Sequence, residues 1–232
     1  MSETPSHRDR SVLALIARLR GIRAETLIRY APFMGLSVDA ARKLLERLCD
    51  QGFLAASPLP RGSRIFRLSS KGVASTGAPP AYASSPSAGI AAEMLAVSAL
   101  AWRTEEYLFP TKAELEELLV RLVPSPEKPK LTGRFVLKLA VANTEDGGSA
   151  SELHLHAFIA ELRPADDLAR RAGVVLDNLQ RHEAFQDLIQ ARLLGVTIVV
   201  PSRGVRASFI AKPFKCETSL VVVEDLQDLL AH

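Results

Sequence analysis

This chain of 232 residues has few cysteines, only one tryptophan and no long hydrophobic run. No apolar run approaches the ~18 residues that cross a membrane, and the opening MSETPSHRDR lacks the apolar core of a signal peptide. We therefore expect a cytoplasmic protein with no membrane partner. Cys49 and Cys216 stand in no metal-ligating spacing, so we expect thiols in a reducing compartment and no disulfide.

The common nucleotide-binding and catalytic motifs are also missing. The sequence contains no GxGxxG, GxxxxGK[ST], HExxH or GxSxG. His154 and His156 are two residues apart and share one face of a strand, as a metal pair would, but no further ligand follows nearby on that face. We predict two exposed strand histidines, no metal and no cofactor.

What the chain does have is an uneven distribution of charge. The formal net charge is +3, yet residues 1–76 carry thirteen basic and six acidic residues, whereas the remainder carries 16 basic and 20 acidic ones. Positive charge concentrated in a small module is the electrostatic footprint of a protein that binds a polyanion. The charge distribution predicts a basic N-terminal module followed by a mildly acidic domain.

The apolar periodicity of the first 76 residues predicts three helices and a hairpin. The first helix has an apolar stripe over residues 12–19, and a second, short helix fits residues 24–30. Ser37 is suited to cap a third helix over residues 38–51. Two short apolar runs within residues 53–68 flank the segment SPLPRGS and are typical of a hairpin.

The third helix presents two different faces. At about 100° per residue, its leucines fall on one side, and small and basic residues fall on the other. A helix of this kind can enter a major groove, where Lys or Arg bonds guanine O6 and N7. The residues predicted to face DNA from this helix are Ser37, Asp39, Ala40, Arg42, Lys43 and Arg47.

The hairpin adds a second set of basic residues. Arg61 and Arg64 flank its tip beside Gly62, where they can reach phosphates or a minor groove, and Arg67 and Lys71 follow. Three helices and a hairpin that closes on LSSKG resemble the winged helix-turn-helix domains of the MarR and PadR type. The resemblance implies double-stranded DNA binding as a homodimer for transcriptional control. Winged helices also serve as protein-interaction modules, which is the other interpretation of this pattern.

The rest of the chain predicts a linker and a second domain. Residues 77–88 are rich in proline, serine and alanine, and residues 89–232 alternate helix and strand patterns, with a helix over 89–108 and a strand over 205–211. The predicted fold class is α+β, with a winged helix over residues 1–76 and a mixed α/β domain after the linker. Small residues along the helix over 89–108 fit either dimerisation or packing against the domain's own sheet.

One place in the second domain raises the question of catalysis. Asp146 lies in a turn between two predicted strands, and Glu161 and Arg163 follow the second strand. This arrangement resembles a degenerate restriction-endonuclease-like domain, as in replication-relaxation proteins of plasmids. That family holds a divalent metal beside the phosphate with an Asp and a Glu-x-Lys. Because Arg163 replaces the lysine and Asp146 lies in a glycine-rich turn, we expect no enzyme activity.

Taken together, these patterns predict a sequence-specific DNA-binding transcriptional regulator, cytoplasmic and associated with the nucleoid when bound to DNA. The alternative is a plasmid or mobile-element factor for DNA processing or replication maintenance, with a nuclease-like C-terminal domain. The target sequence, the sign of regulation and any small-molecule effector stay open.

Overall fold

The structure is a computed structural model that describes residues 4–58, 64–103, 106–122, 133–143, 149–160, 165–181, 183–210 and 221–230. The chain divides into two compact units, Met1–Arg103 and Thr104–His232. Helices and sheets both make up much of the described chain, so the predicted α+β class is confirmed. None of the helices in these ranges combines the length and apolarity that a membrane span requires.

The first unit consists of helices around one small hairpin. Its elements in chain order are α1 (His7–Leu19), α2 (Ala24–Leu27), α3 (Val38–Asp50), β1 (Leu54–Pro58), β2 (Arg64–Leu68), α4 (Ser70–Thr76), a 3-10 helix (Pro80–Ala83) and α5 (Ala88–Arg103). Strands β1 and β2 are antiparallel. Ile22, between α1 and α2, exchanges two backbone hydrogen bonds with Phe66 and so anchors the hairpin beside the first two helices.

The segment LSSKG both closes the hairpin and starts a helix that the sequence patterns did not predict. The Ser69 hydroxyl accepts a hydrogen bond from the backbone N–H of Gly72 at 3.2 Å, which is a standard N-cap of α4. Gly72 itself lies against the backbone of Phe53, where an added Cβ would stand 2.2 Å from the carbonyl oxygen. The glycine is therefore required for the close approach of α4 to the start of the hairpin.

Helix α5 packs with the first unit, whereas the sequence patterns assigned it to the second domain. The Ser98 hydroxyl accepts from the backbone N–H of Arg23 at 3.1 Å, and the Thr26 hydroxyl donates to the Ser98 carbonyl at 2.9 Å. Both hydroxyl residues are fully buried. Met94 and Ala99, on the small-residue face of α5, are buried as well, and α5 contacts α1 and α2. This face is thus used within the chain, against helices instead of a sheet.

The proline-rich segment predicted as a linker is held against the same unit. Arg67 donates a hydrogen bond to the carbonyl of Ala83 at 2.7 Å. The guanidinium of Arg20 lies 4.7 Å from the centre of the Tyr82 ring. The contacts of the chain therefore divide at Arg103 and not within residues 77–88.

The second unit is built on one mixed sheet. Its elements are β3 (Tyr107–Leu108), α6 (Lys112–Leu122), β4 (Arg134–Asn143), β5 (Ser149–Ala160), α7 (Ala165–Arg181), α8 (Glu183–Gln190), β6 (Leu194–Val200), α9 (Arg203–Ile210), β7 (Val221–Asp225) and α10 (Leu226–Leu230). The strand order is β3-β4-β5-β6-β7. The first three strands are antiparallel, and β5, β6 and β7 are parallel. Since parallel neighbours need a crossover, α7 and α8 lie between β5 and β6.

The strand predicted over residues 205–211 is wrong, because residues 203–210 form helix α9. The Ser202 carbonyl accepts a hydrogen bond from the backbone N–H of Arg206 at 2.9 Å, which starts the first helical turn. This helix lies between two parallel neighbours, β6 and β7, whose connection must cross over the sheet. Such a crossover is usually an α-helix.

One face of the sheet forms the hydrophobic core of the second unit. Helices α6, α7 and α8 contribute Leu115, Leu119, Leu179, Phe185 and Leu188 to it. The strands contribute Phe135, Leu137, Leu155, Ala157, Ile159, Leu194, Val196, Ile198, Val200 and Val223. The alternate residues of the same strands point to the opposite face, which carries several polar side chains.

We expect Gly72→Ala to lower the free energy of unfolding by about 1–3 kcal/mol, because the new methyl group must displace the Phe53 backbone. Gly89→Ala is the matched control, since a Cβ at Gly89 meets nothing within 4 Å. Urea denaturation of both variants and the parent measures the difference. Equal unfolding midpoints for Gly72→Ala and the parent would contradict the close contact.

Candidate nucleic-acid interface

Helix α3 is amphipathic, as its sequence predicts. Its start is capped by the Ser37 hydroxyl, which accepts from the backbone N–H of Ala40 at 3.2 Å. Leu44, Leu45 and Leu48 are buried on its inner face. The helix is therefore fixed by apolar packing, and its opposite face is available to an external partner.

The outer face of α3 carries a lysine that has no partner in the part of the chain that the structure describes. Lys43 is exposed and makes no hydrogen bond or ion pair within the part of the chain that the structure describes. Arg42 is also exposed and bonds Asp39 at 3.0 Å, one turn earlier. Exposed pairs of this kind contribute little to stability, so the Arg42 guanidinium can exchange its partner for a ligand.

Arg47 has a structural contact that the sequence patterns did not reveal. Its guanidinium donates a hydrogen bond to the carboxylate of Asp9 in α1, and that carboxylate is buried, with 3% of the residue exposed. Burial opposes ionisation of Asp9, but hydrogen bonds from Ser6 and Arg47 hold its pKa below the usual value. Arg47 thus joins α3 to α1, while 47% of its side chain stays exposed.

The basic residues of the hairpin also differ in whether they are exposed or bonded to other parts of the protein. Arg61 and Gly62 lie outside the described residues. Arg64 is exposed and forms a long ion pair of 3.4 Å with Glu46 of α3, so β2 and α3 carry neighbouring surface charges. The side chain of Arg67 bonds the Ala83 carbonyl, as described above.

Lys71 also has an intramolecular role. Its ammonium donates to the backbone carbonyl of Gln51 at 2.8 Å and lies 4.1 Å from the centre of the Phe53 ring. Together with Arg67, it holds local structure around the hairpin. Of the basic residues predicted to face DNA, Arg42, Lys43 and Arg64 are those within the described chain that combine exposure with weak or no intramolecular pairing.

The candidate catalytic residues Asp146, Glu161 and Arg163 lie outside the described residues. The strands around them are described: β4 ends at Asn143, β5 begins at Ser149, and β5 ends at Ala160. No group of three or more histidine, cysteine and acidic side chains suited to a metal occurs within the described ranges.

The prediction that His154 and His156 are exposed is wrong. Only 8% of His154 and 1% of His156 is exposed, because β5 is a central strand whose residues are buried on both faces. His156 Nδ1 lies 2.9 Å from the hydroxyl of Thr197 on β6. His154 Nε2 lies 3.2 Å from a carboxylate oxygen of Glu152. The sequence predicts that the two histidines share one face of a strand, but it does not reveal which strands lie on either side of that strand.

Burial changes the acid–base properties of this cluster. Burial, aided by the charge of Lys138 and by His154, lowers the pKa of His156 to about 4. Burial likewise raises the pKa of Tyr107 to about 12. His156 is therefore a neutral imidazole and Tyr107 a neutral phenol near pH 7.

Comparison with known proteins identified no relative of this chain: no family model, no curated protein and no solved structure matches it. The contacts, burial and charges of the described residues are therefore what support a function.

We expect the protein to lose stability as the pH falls from about 6.5 to 4. Unfolded His156 takes up a proton near pH 6.5, whereas the folded imidazole does so only near pH 4, so acid favours the unfolded chain. The contribution of His156 is fully present above pH 6.5, and the loss amounts to about 2–3 kcal/mol at pH 4.5. Urea denaturation at pH 7.5 and 4.5 measures it.

The matched variants for this test are His156→Gln and His7→Gln. The pH dependence should be weaker in His156→Gln, and His7→Gln, at an exposed position of α1, is the control for the replacement of a histidine elsewhere in the chain. An imidazole of His156 that titrates near pH 6.5 by NMR would contradict the prediction.

Proposed function

We propose that the first unit is a winged helix-turn-helix domain that binds duplex DNA, and that the protein is a sequence-specific transcriptional regulator. Helix α3 enters the major groove, and the β1–β2 hairpin contacts the neighbouring backbone. The observation that carries the proposal is Lys43, which is exposed and has no partner among the described residues, on a helix whose other face is buried. Residues 1–76 around it contain thirteen basic and six acidic residues, which favours a polyanionic partner.

The connection between α3 and the hairpin supports the same proposal. The Arg64–Glu46 pair brings a basic residue of β2 beside α3. The backbone bonds between Ile22 and Phe66 anchor β2 to the segment that precedes α2. One ligand surface can therefore contact the helix and the strand together, as phosphate and base contacts on a duplex require.

The outer face of α3 fits G·C base pairs better than A·T pairs. Arg42 and Lys43 suit guanine O6 and N7, and Asp39 suits the amino group of cytosine. Residues 38–50 contain no asparagine or glutamine, the side chains that bind adenine at two atoms. We expect the preferred site to contain G·C pairs where α3 enters the groove, with one protein dimer per pair of half-sites.

We expect Lys43→Ala to weaken binding to the best duplex by about 1–3 kcal/mol, because a base contact is lost. Its unfolding midpoint should equal that of the parent. Lys112→Ala, an exposed lysine of the second unit, is the control and should bind as the parent does. Fluorescence anisotropy with a duplex selected from a random pool measures the affinities.

Arg47→Ala provides a contrast with Lys43→Ala. It should lower the unfolding midpoint, because it leaves the Asp9 carboxylate buried without its cationic partner. If Lys43→Ala binds its selected duplex as tightly as the parent, α3 is not the helix that recognises DNA.

The strand arrangement of the second unit favours the alternative function as a nuclease-like factor. Strands β4 and β5 are antiparallel, β6 is parallel to β5 after a helical crossover, and Glu161 directly follows the last residue of β5. Asp146 belongs to the connection between β4 and β5. A metal-dependent nuclease would use these acids beside a phosphate.

We expect the purified protein to leave duplex DNA intact with Mg²⁺ or Mn²⁺, and Glu161→Ala to bind DNA as tightly as the parent. Gel electrophoresis of a plasmid and of a short duplex detects cutting. Metal-dependent cleavage that disappears in Glu161→Ala would make the nuclease the better assignment.

A further inference from the structure

Two arginines of the proposed DNA-binding surface each have an acidic partner from α3. Arg42 pairs with Asp39 at 3.0 Å, and Arg64 of β2 pairs with Glu46 at 3.4 Å. All four side chains are largely exposed, so both carboxylates belong to the surface that would meet a duplex. Carboxylates repel the phosphates of DNA. Two acids on this surface therefore need an explanation, and their positions on α3 differ.

Asp39 lies in the first turn of α3, directly after the capped start of the helix. Ser37 is the N-cap, so Asp39 is the second residue of the helix, and 79% of its side chain is exposed. In helix-turn-helix complexes, the N-terminal residues of the recognition helix are the ones that contact base edges. Asp39 therefore lies in the part of α3 that the proposed complex brings closest to the bases.

The contact between Asp39 and Arg42 leaves hydrogen-bonding capacity on both side chains. It joins one carboxylate oxygen, Oδ1, to one guanidinium nitrogen, Nη1. A guanidinium has five N–H donors, and a carboxylate has two oxygens that each accept more than one hydrogen bond. The pair therefore presents neighbouring donors from Arg42 and an acceptor from Asp39 to a ligand on this face.

A G·C base pair presents the complementary pattern in the major groove. Guanine offers two acceptors side by side, N7 and O6, and the next group across the pair is the N4 amino donor of cytosine. Two donors of Arg42 followed by the acceptor of Asp39 match this order. An A·T pair has the order acceptor, donor, acceptor, which places the O4 oxygen of thymine against the carboxylate. The pair of side chains therefore distinguishes the two kinds of base pair.

We infer that Asp39 is a specificity-determining residue, which recognises one G·C pair together with Arg42 and opposes binding to other sequences. This inference rests on the proposed DNA binding. At the correct pair, the carboxylate orients the Arg42 guanidinium toward guanine and accepts from the amino group of cytosine. At an incorrect pair, or against phosphates, the same carboxylate meets acceptors or anions and repels them.

Glu46 provides a contrast, because its partner belongs to the hairpin. It lies about two helical turns after Asp39, and it pairs with Arg64 of β2. The hairpin is proposed to contact the phosphate backbone, and phosphate contacts carry no sequence information. The Glu46 carboxylate should therefore oppose binding to every duplex equally, whereas that of Asp39 should oppose binding to incorrect sequences.

The test compares full-length Asp39→Ala, Glu46→Ala and the parent on a duplex selected from a random pool and on a random duplex. Alanine is used because asparagine would itself bind adenine. Asp39→Ala should lower the ratio of selected to random affinity by about fivefold or more, with tighter binding to the random duplex. Glu46→Ala should raise both affinities by the same factor. Glu117→Ala, whose partner Arg121 belongs to the second unit, should change neither.

The ratio of two affinities separates recognition from a structural role, since partial unfolding would lower both affinities by the same factor. Replacing the G·C pairs of the selected duplex by A·T pairs, one at a time, should reveal one pair whose replacement weakens the parent much more than Asp39→Ala. An unchanged ratio in Asp39→Ala, while Lys43→Ala loses affinity, would overturn the role of Asp39 and leave the proposed DNA binding intact. A parent that binds no duplex would overturn both.

Discussion

The ion pair between the buried Asp9 carboxylate and the half-exposed Arg47 guanidinium is the contact on which the proposed DNA-binding surface depends. Asp9 also closes the capping box of α1 with Ser6, so one carboxylate both starts α1 and holds α3. A buried carboxylate is stable only while its hydrogen-bond partners remain in place. The contact between Arg47 and Asp9 therefore fixes the orientation of α3 relative to α1, and with it the orientation of the outer face that carries Lys43 and Arg42. One arginine is used to orient the helix, and its neighbours are left for a ligand.

A second polar contact extends this support to α5. Thr26, Ser98 and the backbone of Arg23 form a fully satisfied network in the interior of the first unit. Such networks favour one geometry, since any shift of α5 would leave buried hydroxyl groups unpaired. Helix α2 is only four residues long and has little packing surface of its own. The network with α5 thus stabilises the segment that leads into α3.

The second unit is organised by a different constraint, the mixed sheet. Its parallel half requires helical crossovers, which cover one face and make it hydrophobic. Polar residues of the same strands are thereby collected on the opposite face, where Tyr107, His156 and Thr197 are buried together. Burial lowers the pKa of the imidazole to about 4 and raises that of the phenol to about 12, so both are neutral near pH 7. The predicted loss of stability in acid thus originates in the burial of His156 on this face.

The sequence by itself determined the elements whose signals are local: the Ser37 cap, the two faces of α3, the hairpin strands and the excess of positive charge. Tertiary structure alone decided that Arg47 pairs with Asp9, 38 residues away, that α5 packs with the first unit, and that β5 buries its histidines. It also decided that α9 is a helix, because the parallel strands on either side require a crossover. Caps and periodicity involve neighbours within a few residues, whereas pairing and burial depend on which distant segments meet.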